Sequence, residues 1–353
     1  MEKPVRRGRA TEKTAVTISD VAKAAGVSTA TVSRALANPA HVRADKRAKV
    51  LEAVARLGYA PNEVARTLRA GSSRMILILV PPHYNTSFFS TILDSIHNEL
   101  ASNGYTMIIG SLESPTEDGR NLTSLVFTRQ LDGIIVLACT IPSRLQHSVF
   151  DAGIPVVSVC AEVGGHSIPT VVLNDEECAV LQAEHLISLG HRKLMYVAGI
   201  DGDYNEVQRY SGFRKTLVAN RIDPQLAPRF QGDYRMQSGA AAARTFLEMA
   251  DRPTGVVCCS DEMAIGFIRG ITDAGLSCPR DVSVVGFDGI EYTDYFEPTI
   301  TTIRQPRSDL GSSGARLMLR ALAGDKVPTD TRIVLPGELL VRRSTMSLET
   351  ESV

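Results

Sequence analysis

Polar side chains lie next to predicted strands and helices at three places in the second half of the chain. Asp288 and the pair Ser260-Asp261 each follow an apolar run typical of a strand, and Arg209 lies just before a helix predicted to start near Tyr210. Ligands of parallel α/β proteins bind at the carboxyl ends of the strands. If a ligand cleft lies between them, a buried Asp and an Arg on its two sides can hold vicinal hydroxyls of the ligand through paired hydrogen bonds. The same two residues could form an ordinary ion pair, so the residues alone leave both roles open.

The sequence carries no pattern typical of catalysis. The loop G-x-x-x-x-G-K-[ST], the elbow G-x-S-x-G and a G-x-G-x-x-G after a strand are all absent. His191 precedes a strand and is predicted to be a surface turn residue rather than a general base. Glu176 and Glu177 suit the start of a helix, where carboxylates complement the helix dipole. We therefore predict no catalytic residue and no enzymatic activity.

The cysteines do not have the spacing of a metal site. No pair forms C-x-x-C, and no nearby histidine completes a zinc-ligand pattern. We predict free thiols in a reducing compartment, no metal and no cofactor. The six are Cys139, Cys160, Cys178, Cys258, Cys259 and Cys278.

Three short helices are predicted in residues 17–58. Thr17 and Asp20 have the spacing of a capping box for the first helix, and Ser28 can cap the second. A third amphipathic helix runs from about Asp45 to Leu57. Two short helices joined by a glycine turn and followed by a third form a helix-turn-helix. A plain three-helix bundle has the same periodicity, so the helical pattern alone leaves both open.

The polar face of the second helix has the side chains that a DNA-reading helix needs. Thr29 and Ala30 are short and can meet base edges or a thymine methyl, and Arg34 can reach a guanine edge or a phosphate. Thr31 and Ser33 suit phosphate contacts. Residues 1–73 hold 14 basic and 6 acidic residues, a net charge of +8, whereas the rest has a net charge of −9. Only the N-terminal part is therefore expected to meet a polyanion.

The segment TISDVAKAAGVSTATVSRALANP resembles the signature of the LacI/GalR transcriptional regulators nearly residue for residue, and GYAPNEVARTLRAG is similar to that family's hinge segment. One departure is Arg43, where the family usually has a Ser or Thr cap; Asp45 partly compensates through the helix dipole. The predicted DNA-binding residues are Thr17, Ser28, Thr29, Ala30, Thr31, Ser33, Arg34, Asn62 and Leu68.

The predicted hinge is too short to be a stable helix alone. Pro61 presets a helix start, and Asn62 to Arg69 offer only two turns before Gly71. Leu68 could pack on the rest of the chain. The family resemblance implies instead that two hinge helices pair in the minor groove, with Leu68 wedged into a base step.

Strand-like and helical segments alternate through the rest of the chain in two consecutive sets, which predicts parallel sheets joined by right-handed crossovers. We expect an α/β fold: a three-helix helix-turn-helix head and a hinge helix, then two Rossmann-like lobes. The predicted domains are a disordered basic tail (1–15), the DNA-binding head (16–60), the hinge and linker (61–73), the effector-binding and dimerisation body (74–345) and a flexible tail (346–353).

The stretches LISLGHRKLMYVAG and VSVVGFDGIEYTDYFEPTITTIRQP are similar to the family's effector domain, which resembles periplasmic sugar-binding proteins. The resemblance implies that Arg209 and Asp288 hold effector hydroxyls, and that Phe88 and Phe89 flank the ligand ring. It also places Asn85 at the rim and Gln305 on a crossover between the lobes.

Two predicted effector-binding residues depart from the family pattern. Cys160 stands where members often have Asp, and Ser260 where many have Asn. Several other stretches are most similar to the cytidine-repressor branch, among them STATVSRALANP, FFSTI, TTIRQPR and ELLVRRST. The resemblance therefore leaves a sugar and a nucleoside open as the effector.

A single recognition helix discriminates too little between sequences, so we expect a homodimer on a pseudo-palindromic DNA operator. The predicted helix Gly311–Leu322 could pack in the core or contact a second copy.

No apolar run is long enough for a membrane span and the first residues lack a secretory pattern, which predicts a cytoplasmic, nucleoid-associated protein. The alternatives are a solute-binding protein, disfavoured by the basic head, and a sugar-active enzyme.

Overall fold

The computed structural model describes residues 16–37, 39–59, 72–82, 86–112 and 130–348, and it divides into two units, residues 1–73 and 74–353. The predicted basic tail, the hinge helix with Asn62 and Leu68, and the rim residue Asn85 lie outside the described residues.

The first unit contains the three predicted helices. They are α1 (Ile18–Ala25), α2 (Thr29–Ala37) and α3 (Ala44–Leu57), with a short 3₁₀ helix at Pro39–His41. One fully buried valine from each helix, Val21, Val32 and Val50, meets in a small core.

The start of α3 shows the effect of the unusual residue at position 43. Arg43 is the N-cap, and its side chain makes no capping hydrogen bond. It forms instead an exposed ion pair with Asp45, whose carboxylate lies 3.4 Å from Arg43 Nε. The predicted compensation by Asp45 in the first turn therefore includes a direct contact as well as the helix dipole.

The second unit has two lobes. The chain forms most of the N-terminal lobe first, then most of the C-terminal lobe, and then adds further segments to each. The elements in chain order are β1 (Met75–Val80), α4 (Thr86–Ser102), β2 (Thr106–Ser111), β3 (Gly133–Val136), α5 (Ser143–Phe150), β4 (Val156–Val159), β5 (Thr170–Leu173), α6 (Asp175–Ser188), β6 (Leu194–Ala198), α7 (Tyr204–Ala219), β7 (Arg229–Gln231), α8 (Met236–Glu248), β8 (Gly255–Cys258), α9 (Asp261–Asp273), β9 (Ser283–Asp288), α10 (Tyr292–Tyr295), β10 (Thr301–Arg304), α11 (Arg307–Leu322), β11 (Arg332–Leu335) and β12 (Glu338–Leu340).

Each lobe is built on a six-stranded sheet. The N-terminal lobe has the strand order β11-β5-β4-β3-β1-β2, and all of its strands are parallel. The C-terminal lobe has the order β12-β10-β9-β8-β6-β7, parallel except where β12 pairs antiparallel with β10. The predicted class of two parallel-sheet lobes is confirmed.

The prediction of two consecutive sets is wrong in one respect, because the lobes exchange segments of chain. The chain crosses between the lobes after β5, after β10 and after β11. Helix α11 packs against α4, with Leu317 and Met318 buried beside Ile92 and Ile96, so its apolar face belongs to the N-terminal-lobe core. Local periodicity identifies a helix or strand but does not say which sheet it joins.

Two further predictions need correction. His191 is not a surface turn residue, because only 1% of its surface is exposed. Its two ring nitrogens form hydrogen bonds with the Thr254 hydroxyl and the Met346 carbonyl, and burial lowers its pKa. The predicted flexible tail starts with residues that contact the C-terminal lobe, since the Leu348 amide donates to the Leu189 carbonyl at 2.9 Å. Both corrections come from the chain end folding back over the loop before β6.

Candidate functional site

The exposed face of α2 carries side chains that the sequence predicts to contact DNA. Thr29, Ala30 and Arg34 are exposed, whereas Val32 and Ala35 on the opposite face are buried. Helix α2 contains no acidic residue. Arg34 Nε donates to the Ala30 carbonyl at 3.2 Å, which holds the guanidinium against the first turn of its own helix.

Local hydrogen bonds fix the first turns of α1 and α2. The Thr17 hydroxyl and backbone amide both donate to the Asp20 carboxylate, and the capping box predicted for α1 is confirmed. The Thr31 amide donates to the Ser28 hydroxyl at 3.2 Å, so Ser28 caps α2. Ser33 is half-buried on the flank of the exposed face. The turn and the start of α2 are thus ordered by side chains that remain accessible to a phosphate backbone.

A cavity of about 730 Å³ lies between the two lobes of the second unit. Its N-terminal-lobe wall is largely apolar, and its C-terminal-lobe wall carries most of the polar side chains. Six of the predicted effector-binding residues line it: Phe88, Phe89, Cys160, Arg209, Asp288 and Gln305. A separate groove of about 790 Å³ on the outer face of α7 contains none of them.

Arg209 is held rigidly on the cavity wall. Its Nε donates to Asp175 Oδ1 at 2.7 Å, its Nη1 donates to the Cys259 carbonyl at 2.6 Å, and its guanidinium carbon lies 3.6 Å from the centre of the Phe287 ring. Burial lowers the pKa of Arg209, but the nearby carboxylates of Asp175 and Asp288 outweigh it, so the net shift is upward. Burial raises the pKa of Asp175 although Arg209 opposes it. The direct contact with a permanently charged guanidinium keeps this pair ionised.

Two details of the Arg209 prediction are wrong. Arg209 lies within α7, whose first turn starts at Tyr204 rather than near Tyr210. Arg209 and Asp288 do not face each other across the cleft, because both belong to the C-terminal lobe, and the ion pair of Arg209 is with Asp175. Nη2 of Arg209 makes no hydrogen bond to any residue that the structure describes, so it is available to a ligand.

Asp288 ends β9 in a strained conformation with φ of 123°. The Gln305 amide donates to Asp288 Oδ1 at 2.8 Å, which ties the carboxylate to the second crossover between the lobes. Burial raises the pKa of Asp288 to about 7, against the opposing effects of Arg209 and of the Gln305 hydrogen bond. A carboxyl group with this pKa can accept or donate a hydrogen bond to a hydroxyl near neutral pH.

The remaining predicted effector-binding residues that the structure describes are two aromatic and two small residues, and they differ in whether they line the cavity. Phe88 and Phe89 line the cavity with their rings edge to face, centroids 4.9 Å apart. Cys160 also lines it, with a positive φ of 73°, and burial raises the pKa of its thiol. Ser260 is not on the cavity wall: its hydroxyl caps α9 by accepting from the Met263 amide and donates to the Tyr234 carbonyl. Ser260 therefore positions a wall residue and does not itself face a ligand.

Tyr234 is a cavity residue that sequence reasoning missed. Its hydroxyl is buried and has no hydrogen-bond partner within the described part of the chain. The ring fits because position 199 is glycine; a Cβ there would lie 2.1 Å from the ring. Tyr234 has a φ of 67°, and three of the five described non-glycine residues with positive φ line this cavity. Such strain clusters at ligand sites, but it is invisible in a single sequence.

Direct hydrogen bonds link the two lobes at the cavity. The Cys139 thiol of the N-terminal lobe donates to Asp203 Oδ1 of the C-terminal lobe at 2.7 Å, and burial beside this carboxylate raises the thiol pKa to about 11. Arg307 donates both to the Ser87 carbonyl at 2.8 Å and to the Gly289 carbonyl at 3.0 Å. These polar contacts join the two lobes in addition to the three chain crossovers.

The second unit has the architecture of a bilobed small-molecule receptor, and the first that of a helix-turn-helix DNA reader. Residues 17–62 match the family described as "Bacterial regulatory proteins, lacI family", and residues 183–345 match a periplasmic binding protein-like domain. The chain is 33% identical over 346 residues to the HTH-type transcriptional repressor CytR of Escherichia coli K12, covering 96% of this chain and 98% of that protein.

Solved structures give the same result. The Lac repressor dimer bound to operator and the anti-inducer ONPF superposes with a TM-score of 0.82 at 30% identity, covering 94% of this chain and 100% of that one. A LacI family regulator from Enterococcus faecium with bound ribose gives a TM-score of 0.70 at 28% identity, covering 78% and 100%. The chain belongs to the LacI family of DNA-binding transcriptional regulators, and its relatives are regulators rather than enzymes.

Among the described residues, no helix combines the length and apolarity needed to cross a membrane. No cluster of three or more His, Cys, Asp or Glu side chains within the same residues could hold a metal ion.

Proposed function

We propose that this protein is a transcriptional repressor that binds a pseudo-palindromic operator as a homodimer and responds to a sugar or nucleoside in the cavity between the lobes. The observation that carries the proposal is the pairing of an exposed, acid-free recognition helix with a polar cavity in one chain. The relatives support it: one similar structure is a dimer on its operator, and another holds ribose.

Each unit has a defined task in this proposal. Residues 16–60 read DNA, residues 61–73 form the hinge, and residues 74–345 bind the effector and dimerise. Thr29, Ala30 and Arg34 meet base edges, whereas Thr17, Ser28, Thr31, Ser33 and Asn62 position the head on the backbone. The protein would act in the cytoplasm, at the nucleoid.

The proposed effector site centres on the C-terminal-lobe wall. Asp288 and Nη2 of Arg209 take ligand hydroxyls, Phe88 and Phe89 cover the opposite face, and Gln305 senses the ligand on a crossover. Cys160 lines the cavity, and the proposal places Asn85 at its rim. Ligand binding changes the lobe angle and, through it, the spacing of the two hinge helices.

Selection of duplexes from a random DNA library tests the DNA-binding half of the proposal. We expect enrichment of a two-fold symmetric sequence and an affinity that falls steeply as salt rises, since phosphate contacts release counterions. Light scattering of the selected complex should give two chains per duplex. Absence of an enriched sequence at low ionic strength, or a single chain per site, would contradict the proposal.

A further inference from the structure

We propose that the cavity between the lobes excludes phosphorylated compounds, so that the effector is an unphosphorylated polyol, either a free sugar or a nucleoside. This inference rests on the proposed function, because it specifies the ligand of the same cavity. Sugar phosphates and nucleotides share the hydroxyls of these compounds, so exclusion needs a feature of the wall that acts on the phosphate alone.

Among the described lining residues, the charged side chains all lie on the C-terminal-lobe wall. The described N-terminal-lobe lining has no charged side chain, whereas the C-terminal-lobe lining has two arginines and five carboxylates, which are Asp201, Asp203, Asp233, Glu262 and Asp288. A carboxylate of the protein already lies beside each arginine and offsets its charge. Asp175 already neutralises Arg209 at 2.7 Å, and Arg235 lies 4.0 Å from an Asp233 oxygen and attracts Glu262. A phosphate dianion beside these described residues would meet net negative charge.

The helices that begin beside the cavity carry acidic residues at their amino ends. Amino ends of helices bind phosphate through free backbone amides, and three such ends border the cavity. Asp203 is the N-cap of α7, Glu262 lies in the first turn of α9, and Asp233 accepts from the amide of the α8 N-cap residue, Arg235. A carboxylate residue therefore lies at or near each of these helix ends, and the Asp233 carboxylate accepts directly from the amide of Arg235.

A tyrosine on the same wall has a neutral hydroxyl group that makes no hydrogen bond to the described residues. The buried Tyr234 hydroxyl lacks a partner among the described residues and can both donate to and accept from a hydroxyl or an amide. A cavity with a free neutral hydroxyl and an excess of carboxylates is complementary to an uncharged ligand rich in hydroxyls. Phe88 and Phe89 supply an apolar face for the ring of that ligand.

Calorimetry on the full-length protein with matched pairs tests the proposal. One arm pairs ribose and glucose with ribose 5-phosphate and glucose 6-phosphate; the other pairs the four ribonucleosides with their 5′-monophosphates. We expect at least one unphosphorylated compound to bind and its phosphate to bind about 100-fold more weakly or worse, since a like-charge contact costs several kcal/mol. The arm in which binding is detected shows whether the polyol is a free sugar or a nucleoside.

A charge-neutralising variant tests the cause. Asp203→Asn combined with Glu262→Gln should reduce the discrimination against phosphate by about tenfold or more. The control, Glu248→Gln with Asp251→Asn, makes the same change in charge at exposed positions outside the cavity and should leave the ratio as in the wild type.

Three outcomes would contradict the proposal. A phosphorylated compound that binds as tightly as its parent overturns the exclusion but leaves the proposed regulator intact. An unchanged ratio in the Asp203/Glu262 variant removes these carboxylates as its cause. Absence of binding in both arms contradicts the sugar or nucleoside effector itself and this inference with it, whereas the DNA selection still decides the function of the head.

Discussion

Arg34 is the one long, charged side chain on the exposed face of α2, so at the residue scale it is the strongest candidate for reading a base. Arg34→Ala should lose about 1–3 kcal/mol of binding energy at one operator position if the guanidinium contacts a guanine edge. The measurement is a competition assay with operators substituted at each position. Arg56→Ala, at an exposed position of α3, serves as the control. An equal loss on every duplex would assign Arg34 to a phosphate instead.

Asp288 gives a pH-dependent prediction. Its folded-state pKa of about 7 exceeds the unfolded value of 3.8, so folding favours the protonated form. The stabilising contribution of Asp288 is complete below the unfolded pKa and is lost as pH rises through about 7. Asp288→Asn should therefore be more stable than the wild type at pH 8, by about 2–4 °C in Tm for each kcal/mol, and this gain should shrink toward pH 5.

Thermal unfolding without ligand at pH 5 and pH 8 measures the effect of Asp288→Asn. Asp330→Asn, an exposed carboxylate outside the cavity, is the control and should change Tm little at either pH. A Tm difference for Asp288→Asn that is the same at both pH values would show that the carboxyl does not titrate as described. The same variant should bind operator normally but lose its response to effector.

At the scale of elements, the contact between α6 and α7 sets the position of Arg209. Gly212 of α7 packs against the backbone of α6, and a Cβ there would lie 2.2 Å from the Glu176 carbonyl oxygen. Gly212→Ala must push α7 away from α6, one turn from the 2.7 Å contact between Arg209 and Asp175. We expect a loss of about 1–3 kcal/mol in the free energy of unfolding from overpacking.

Gly212→Ala should also weaken effector binding, because the two helices carry the two partners of the ion pair. Denaturant unfolding and calorimetry measure the two effects separately. Val218→Ala, exposed on the same helix, should change neither. Wild-type ligand affinity in Gly212→Ala would mean that the spacing of α6 and α7 does not control Arg209.

The hinge is an element whose role rests on sequence alone, since Leu68 lies outside the described residues. A Leu68→Ala variant should bind operator about tenfold or more weakly, because the leucine wedge that stabilises the kinked base step is lost. Its effector affinity should not change. Leu51→Ala, which truncates an exposed leucine of α3, is the matched control. Wild-type operator affinity in Leu68→Ala would exclude the wedge.

For the whole molecule, the proposal requires two sites coupled through the lobe angle and the hinge. Coupling of this kind is reciprocal: if the effector changes operator affinity by some factor, the operator must change effector affinity by the same factor. We expect a coupling of about 1–3 kcal/mol. Operator titrations with and without effector, and the converse experiment, give the two factors; unequal factors would contradict a single coupled equilibrium.

Much of the architecture could be predicted from the sequence because the signals are local. The capping box of Thr17 and Asp20, the apolar face around Val32, and the alternation of strands and helices all depend on residues a few positions apart. These patterns, with the family signature, were sufficient for the head, the two parallel-sheet lobes and the regulator class. Six predicted effector residues also meet in one cavity.

Only the tertiary structure decided which side chains meet. The partner of Arg209 is Asp175, 34 positions away, and Ser260 lies behind Tyr234 rather than on the wall. The return of α11 and β11 to the N-terminal lobe, and the burial of His191 by the chain end, depend on sheet order and long-range packing. Periodicity records which face of an element is buried but not what covers that face, so the sequence determined the elements and the fold determined the contacts of the site.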